Sequence, residues 1–209
     1  MNIIKLIKSL YYLLYKKKLK IKDLTRLYTK NGDEGNTFLL FGQKVSKNDI
    51  RVQCYGAIDE CMSNLGAAYA ISKEQNKNEI SDLIIKIQRT LFIISSEIAC
   101  SKEKYLDLKI NYKYTKKDVI QELETLIDKY QEITPKINYF ILPGGSLLSS
   151  FIDIARTNCR KSERLCVEIV KKDLLNNNNI LIYLNRLSDL LFILARYIDK
   201  DKEYLKATE

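Results

Sequence analysis

Three groups of side chains have the types and spacing for anion chemistry. The first is the loop Thr29 to Thr37, reading Thr-Lys-Asn-Gly-Asp-Glu-Gly-Asn-Thr, with Lys44 and Lys47 beyond it. Glycines let backbone N–H groups approach a phosphate closely, and lysines neutralise it. The spacing is not that of a Walker A loop, so a phosphate cradle and a plain glycine-rich surface turn both stay open. The second group is Arg156, Arg160 and Arg164, spaced i, i+4, i+8, with Lys161 and Glu163 among them. On a helix these arginines project from nearly one face. Guanidiniums so placed repel unless anions fill the gaps, and arginine grips phosphate oxygens in a fork. The alternative is a solvated basic face. The third group is Asn185, Arg186 and Asp189 beside an apolar stripe. Such amides and carboxylates bind a nucleotide or simply pair within a helical bundle. Together the three suggest a nucleotide site between helices.

Composition narrows the chemistry. The 209-residue chain contains no histidine. That excludes Ser-His-Asp hydrolysis, Cys-His proteolysis and histidine-ligated zinc or di-iron sites. A reaction that needs only positioning and charge neutralisation remains possible. The formal charge is +9, but residues 1–26 hold eight basic side chains against Asp23 alone. Seven of the nine net charges therefore lie there, and the rest of the chain is nearly neutral. A nucleic-acid-binding domain carries its charge on the folded body, so this distribution argues against one. The five cysteines, Cys54, Cys61, Cys100, Cys159 and Cys166, include no C-x-x-C pair. Their odd number and spacing point to a reducing compartment and to small buried hydrophobes.

The elements that must position these groups read as helices. Residues 1–22 form an amphipathic basic stretch, with lysines arriving too early for a membrane span of about 20 apolar residues. It reads as a mitochondrial transit segment or as a surface extension. The folded domain is expected over 27–209. Residues 27–56 show little periodicity and read as loop. After them, Ile58, Met62, Leu65 and Tyr69 make one helical stripe; Ile80, Ile84, Ile87, Leu91, Ile94 and Ile98 make a second. Thr115 and Asp118 have capping-box spacing ahead of Val119, Leu123, Leu126 and Tyr130. Pro143-Gly144-Gly145 breaks the chain, and Ser146 is placed to cap a long helix to about Leu175. Asn176 to Asn179 reads as a turn. A last helix follows, burying Leu184, Leu187, Leu191, Leu194 and Ile198. The predicted fold is all-α: an antiparallel, ferritin-like up-and-down bundle of about five helices behind a glycine-rich N-terminal loop.

Five motifs in order then carry a resemblance. They are the Tyr28 to Gly35 opening; Arg51-Val52 with Tyr55 to Glu60; Phe140 to Ser146; Ala155 to Arg164; and Leu184 to Asp189. From about Leu27 to Tyr197 the chain resembles the PduO-type cob(I)alamin adenosyltransferases. The resemblance implies transfer of the 5′-deoxyadenosyl group of ATP to cob(I)alamin, with inorganic triphosphate leaving and magnesium accompanying the nucleotide. It implies a homotrimer with ATP between subunits. ATP falls on Thr29, Lys30, Asn31, Gly32, Thr37, Phe38 and Lys47. It falls also on Arg160, Lys161, Glu163, Arg164 and Asn185. Asp59 and Arg156 match a pair that bridges the subunit boundary, and Phe140 matches an aromatic residue below the corrin ring. Arg160, Phe140, Asp59 and Arg156 are thus the expected catalytic set.

In this chain Lys161 stands where a second arginine is usual, Ser162 where alanine is common and Cys61 where leucine is common. Asp153 stands where histidine is frequent, one turn from Arg156, and is expected to weaken phosphate binding there. The resemblance brings in a cobalamin reductase and an adenosylcobalamin-dependent mutase as partners. It places the protein in the mitochondrial matrix if residues 1–26 are a transit segment, and in the cytoplasm otherwise. A non-catalytic helical partner protein and a nucleotide-binding regulator are the rival readings.

Overall fold

A computed structural model describes Tyr28 and residues 30–208. Two short strands come first, β1 (Asn36–Phe38) and β2 (Lys44–Ser46), paired antiparallel with Thr37 opposite Val45. Six helices follow: α1 (Ile50–Glu74), α2 (Asn78–Ile98), α3 (Tyr105–Asn111), α4 (Lys117–Glu132), α5 (Leu147–Lys171) and α6 (Asn179–Ile198). The five long ones alternate in direction. Paired contacts show it: Glu79 meets Lys129 where Lys86 meets Glu122, and Asp153 meets Arg196 where Cys159 Sγ meets the Leu184 carbonyl. The up-and-down bundle expected from the sequence is therefore present, with the seven-residue α3 added.

Apolar periodicity built the core. All six residues of the α2 stripe are buried, as are Ile58, Leu65, Leu184, Leu187, Leu191 and Leu194, whereas Ile198 is only partly covered. All five cysteines are buried thiols. Burial pushes the Cys166 thiol up to about 12 and the Cys100 thiol up to about 11, so neither is a thiolate near neutrality. Ser146 and Ser149 cap α5 reciprocally: each hydroxyl accepts the other residue's backbone N–H, at 3.2 and 3.1 Å.

Three local expectations need correction. The 27–56 stretch is not all loop, because the hairpin occupies part of it and α1 begins at Ile50. The hairpin turns through Phe41 and Gly42, both left-handed, and Leu40 N–H donates to the Ala99 carbonyl at 2.8 Å, docking it on the end of α2. Strands of three residues are too short to show an alternating pattern. Second, Thr115 and Asp118 form no capping box. The Thr115 N–H is spent on the buried Glu97 carboxylate at 2.6 Å, and its hydroxyl finds no partner. Third, Asn176 to Asn179 is more than a turn. Asn177 Nδ2 donates to Glu97 at 2.9 Å and to the Thr115 carbonyl at 2.8 Å. Tyr105 also donates to Glu97, at 2.8 Å, so one carboxylate ties together the ends of four helices.

This places two different things at the two ends of the bundle. The hairpin, the end of α2 and the start of α1 share one end with the end of α5. The Pro143–Gly145 turn, the start of α5 and the end of α6 share the other.

Candidate functional site

The phosphate-type cations gather on the outer side of α5 toward the hairpin end. Arg160, Lys161 and Arg164 are exposed there. Among the described residues no acid lies within ion-pair distance of Arg160 or Arg164. Lys161 has one, Glu60 on α1, at 3.0 Å. Between α1 and α5 runs a groove of about 580 Å³ lined by Gln53, Gly56, Ala57, Glu60, Lys161, Arg164, Leu165 and Glu168. Its volume is that of a small-molecule site. Gly56 opens it, since a side chain there would meet nothing but space. Gln53, Gly56 and Glu168 were given no role from the sequence. A glycine inside a helical stripe was the available signal for Gly56.

The glycine loop is shaped by left-handed residues at Lys30 and Gly35. Lys47, N-terminal to α1, folds back so that its ammonium lies against Gly32, where a larger residue would press on it. Lys47 N–H also donates to the Gly35 carbonyl at 2.8 Å. The structure thus brings Gly32 and Lys47 together, with Thr37 and Phe38 on β1 close by in sequence and Phe38 half exposed. Asn31 is exposed. Thr29 lies outside the described residues.

On α6, Asn185 Nδ2 donates to Glu163 at 2.9 Å and its oxygen accepts from Arg186 Nη1 at 2.9 Å. Glu163 and Asn185 are therefore positioned by each other, while Arg186 is held by Glu124 on α4. Asp189 lies 3.9 Å from Arg186.

Asp59 and Arg156 do not meet within the chain. Asp59 is exposed and makes no ion pair among the described residues. Arg156 Nε donates to Asp153 at 3.0 Å. Asp153 is 4% exposed and also takes a hydrogen bond from Arg196, itself 3% exposed. The Phe192 ring stacks under both guanidiniums, 5.9 Å from Arg156 and 5.4 Å from Arg196. The sequence suggested that Asp153 sits beside Arg156 as an unwelcome charge. Its buried carboxylate instead shares two guanidiniums, which offsets the cost of its desolvation.

Phe140 stands apart from all of these, at the far end of the bundle, 84% exposed. It is not a core residue. Tyr139, Leu142, Leu147 and Leu205 are exposed nearby in sequence or pairing. About 20 Å of helix separates Leu147, at the start of α5, from Arg160.

Known proteins resemble this chain along most of its length. A family model described as cobalamin adenosyltransferase matches residues 27–198.

The chain belongs to the cobalamin adenosyltransferase family.

It is similar to the corrinoid adenosyltransferase of Bacillus subtilis, with 39% identity over 175 residues, covering 83% of this chain and 86% of that one. It is 36% identical over 194 residues to the corrinoid adenosyltransferase of Homo sapiens, covering 90% and 76%. A variant PduO-type ATP:corrinoid adenosyltransferase from Lactobacillus reuteri, complexed with cobalamin and ATP, superposes with a TM-score of 0.78 at 33% identity. That match covers 88% of this chain and 100% of the other. Family members catalyse adenosyl transfer to a corrinoid, and the chain is an enzyme of that class. Among the described residues no helix is long and apolar enough to cross a membrane.

Proposed function

We propose that this enzyme moves the 5′-deoxyadenosyl group of ATP onto cob(I)alamin and releases triphosphate, using the glycine loop and α5 for the nucleotide and Phe140 for the corrinoid. The observation that carries the reading is the row on α5: Arg160 and Arg164 are exposed and, among the described residues, without acidic partners, and Arg164 lines a groove of about 580 Å³. Two unneutralised guanidiniums flanking Lys161 are an anion site in waiting.

In this reading Thr29, Lys30, Asn31, Gly32, Thr37, Phe38 and Lys47 hold ATP from one side. Arg160, Lys161, Glu163, Arg164 and Asn185 hold it from the other. The Lys161–Glu60 pair is exposed and weak, so a triphosphate can draw the ammonium away. Among the described residues no cluster of three or more metal-type ligands occurs. Magnesium would therefore enter on the triphosphate oxygens. Reduced cobalt is the nucleophile and needs no protein base, which suits a chain without histidine. The protein's part is to align the ribose 5′-carbon, worth about 7–11 kcal/mol in favourable cases. It also offers cations to the leaving triphosphate.

In this reading the loop of one chain and its own Phe140 stand apart. α5 has 25 residues, about 37 Å of helix, and the two lie at opposite ends of it. A second copy, in the homotrimer that the family resemblance implies, would supply the missing half. Asp59, exposed and without an ion pair, and Arg156, whose terminal amino groups carry no bond among the described residues, are the pair proposed to meet across that boundary. Residues 1–26, as a targeting segment, would direct the enzyme to the mitochondrial matrix. A cobalamin reductase would supply the reduced substrate, and an adenosylcobalamin-dependent mutase would consume the product.

The test is Arg160→Ala, assayed for adenosylcobalamin formation from ATP and chemically reduced cobalamin. Its side chain is exposed and, among the described residues, unpaired, so the thermal melt should match the parent while the rate falls about 100-fold or more. A folded variant with the parental rate would remove Arg160 from the site.

A further inference from the structure

Residues 135–146, between α4 and α5, contain no helix and carry Phe140. What holds them is the C-terminal tail. Ala207 N–H donates to the Phe140 carbonyl at 2.8 Å, and Leu142 N–H donates to the Leu205 carbonyl at 2.8 Å. These make an antiparallel bridge between Ile141 and Lys206. Among the described residues they are the only backbone bonds joining Phe140 to Leu142 with another segment. The tail is fastened in turn. Tyr204 OH donates to the Arg196 carbonyl at 2.7 Å, and Lys202 Nζ donates to the Gly145 carbonyl at 2.6 Å.

Asp199 completes the fastening. It is buried directly beneath Gly145, where any side chain would collide with its carboxylate. The Lys202 ammonium lies 3.2 Å from its Oδ1 as an ion-pair contact. Burial opposes the Asp199 charge, but Ser149, Ser146 and Lys202 outweigh it and hold the carboxyl below its ordinary range. Lys206 also lies over the Tyr139 ring, 5.3 Å from its centre. All of these tail residues fall beyond residue 198, where the family match ends.

We propose that the tail Asp199 to Ala207 is a positioning element for Phe140, setting where its ring stands against the corrinoid. This rests on the corrinoid role assigned to Phe140 above. A ring 84% exposed has little side-chain packing to orient it. Within one chain its stance comes from the backbone, and the backbone there is held by two tail bonds and, at Gly145, by the Lys202 ammonium. Loss of the tail bonds would leave the segment free to sample other conformations without opening the core.

Two variants test it: a chain ending at Glu203, and full-length Ala207→Pro, which lacks the N–H donated to Phe140. Phe140→Ala is measured beside them. The readouts are the thermal melt, KM for ATP, KM for cobalamin, kcat, and the absorption spectrum of enzyme-bound cob(II)alamin. The expected result is a parental melt and KM for ATP, with kcat/KM for cobalamin lowered about ten-fold, the scale of one or two backbone bonds. The bound cob(II)alamin should shift toward the spectrum that keeps its lower ligand. If the shortened chain melts early, Ala207→Pro alone carries the comparison. Parental kinetics and spectrum in Ala207→Pro, with Phe140→Ala impaired, would overturn the tail's role and leave that of Phe140 standing. Parental behaviour in Phe140→Ala would overturn both.

Discussion

At the scale of single residues, charge pairing differs sharply between the buried end and the exposed row of α5. Asp153 and Arg196 are buried and bonded, whereas Arg160 and Arg164 are exposed and, among the described residues, unpaired. Asp153→Asn removes the one carboxylate that serves two guanidiniums, and Arg196 Nε already lacks a partner. The loss should be about 3–5 kcal/mol in urea unfolding, as for other broken buried pairs. A variant with an unchanged midpoint and slope would show that solvent reaches the site and substitutes for the acid. The chemistry of Asp153 was only half legible in the sequence. Its spacing from Arg156 was visible, but Arg196 lies 43 positions away on another helix, and only the fold brings it near. Phe140 was legible as a residue of interest through its motif, yet nothing in the motif distinguished a core ring from an exposed one.

At the scale of elements, stripes were readable and joints were not. The α2 stripe and the Ser146 cap follow from local sequence, because helical spacing and N-terminal hydrogen bonding are set within a few residues. The hairpin and the Glu97 junction depend on partners far along the chain. The start of α1 is another such joint. Asp49 accepts from Arg51 N–H at 2.9 Å and binds the Arg51 guanidinium through both oxygens, at 3.0 and 2.9 Å. That guanidinium, bonded to Asp49, holds its carboxyl below the ordinary value of 3.8. A depressed folded value means the pair stabilises the protein above pH 3.8 and stops doing so as pH falls through the folded value. Unfolding midpoints measured from neutral pH downward should fall in that window. Asp49→Asn keeps a capping oxygen but lacks the charge, so its slope there should be shallower. Equal slopes would mean the pair contributes nothing to acid stability.

At the scale of the whole molecule, the alternating bundle was foreseeable from four apolar stripes, one capped helix and short connections. Which exposed face would meet another copy was not, because periodicity says which face is buried within a chain and not which face meets another. The separation of the glycine loop from Phe140, at opposite ends of α5, has a genetic consequence. If each site draws its loop from one subunit and its phenylalanine from the next, the two kinds of defect lie in different alleles' territory and can rescue each other. Co-expression of a Lys47→Ala chain with a Phe140→Ala chain should yield a population in which roughly one site in four joins an intact loop to an intact Phe140. Activity in the mixed preparation should then exceed that of either chain alone, and it should vanish when the two are purified separately and never allowed to exchange. No gain on co-expression would place both halves of the site on one polypeptide, against the length of the helix that separates them.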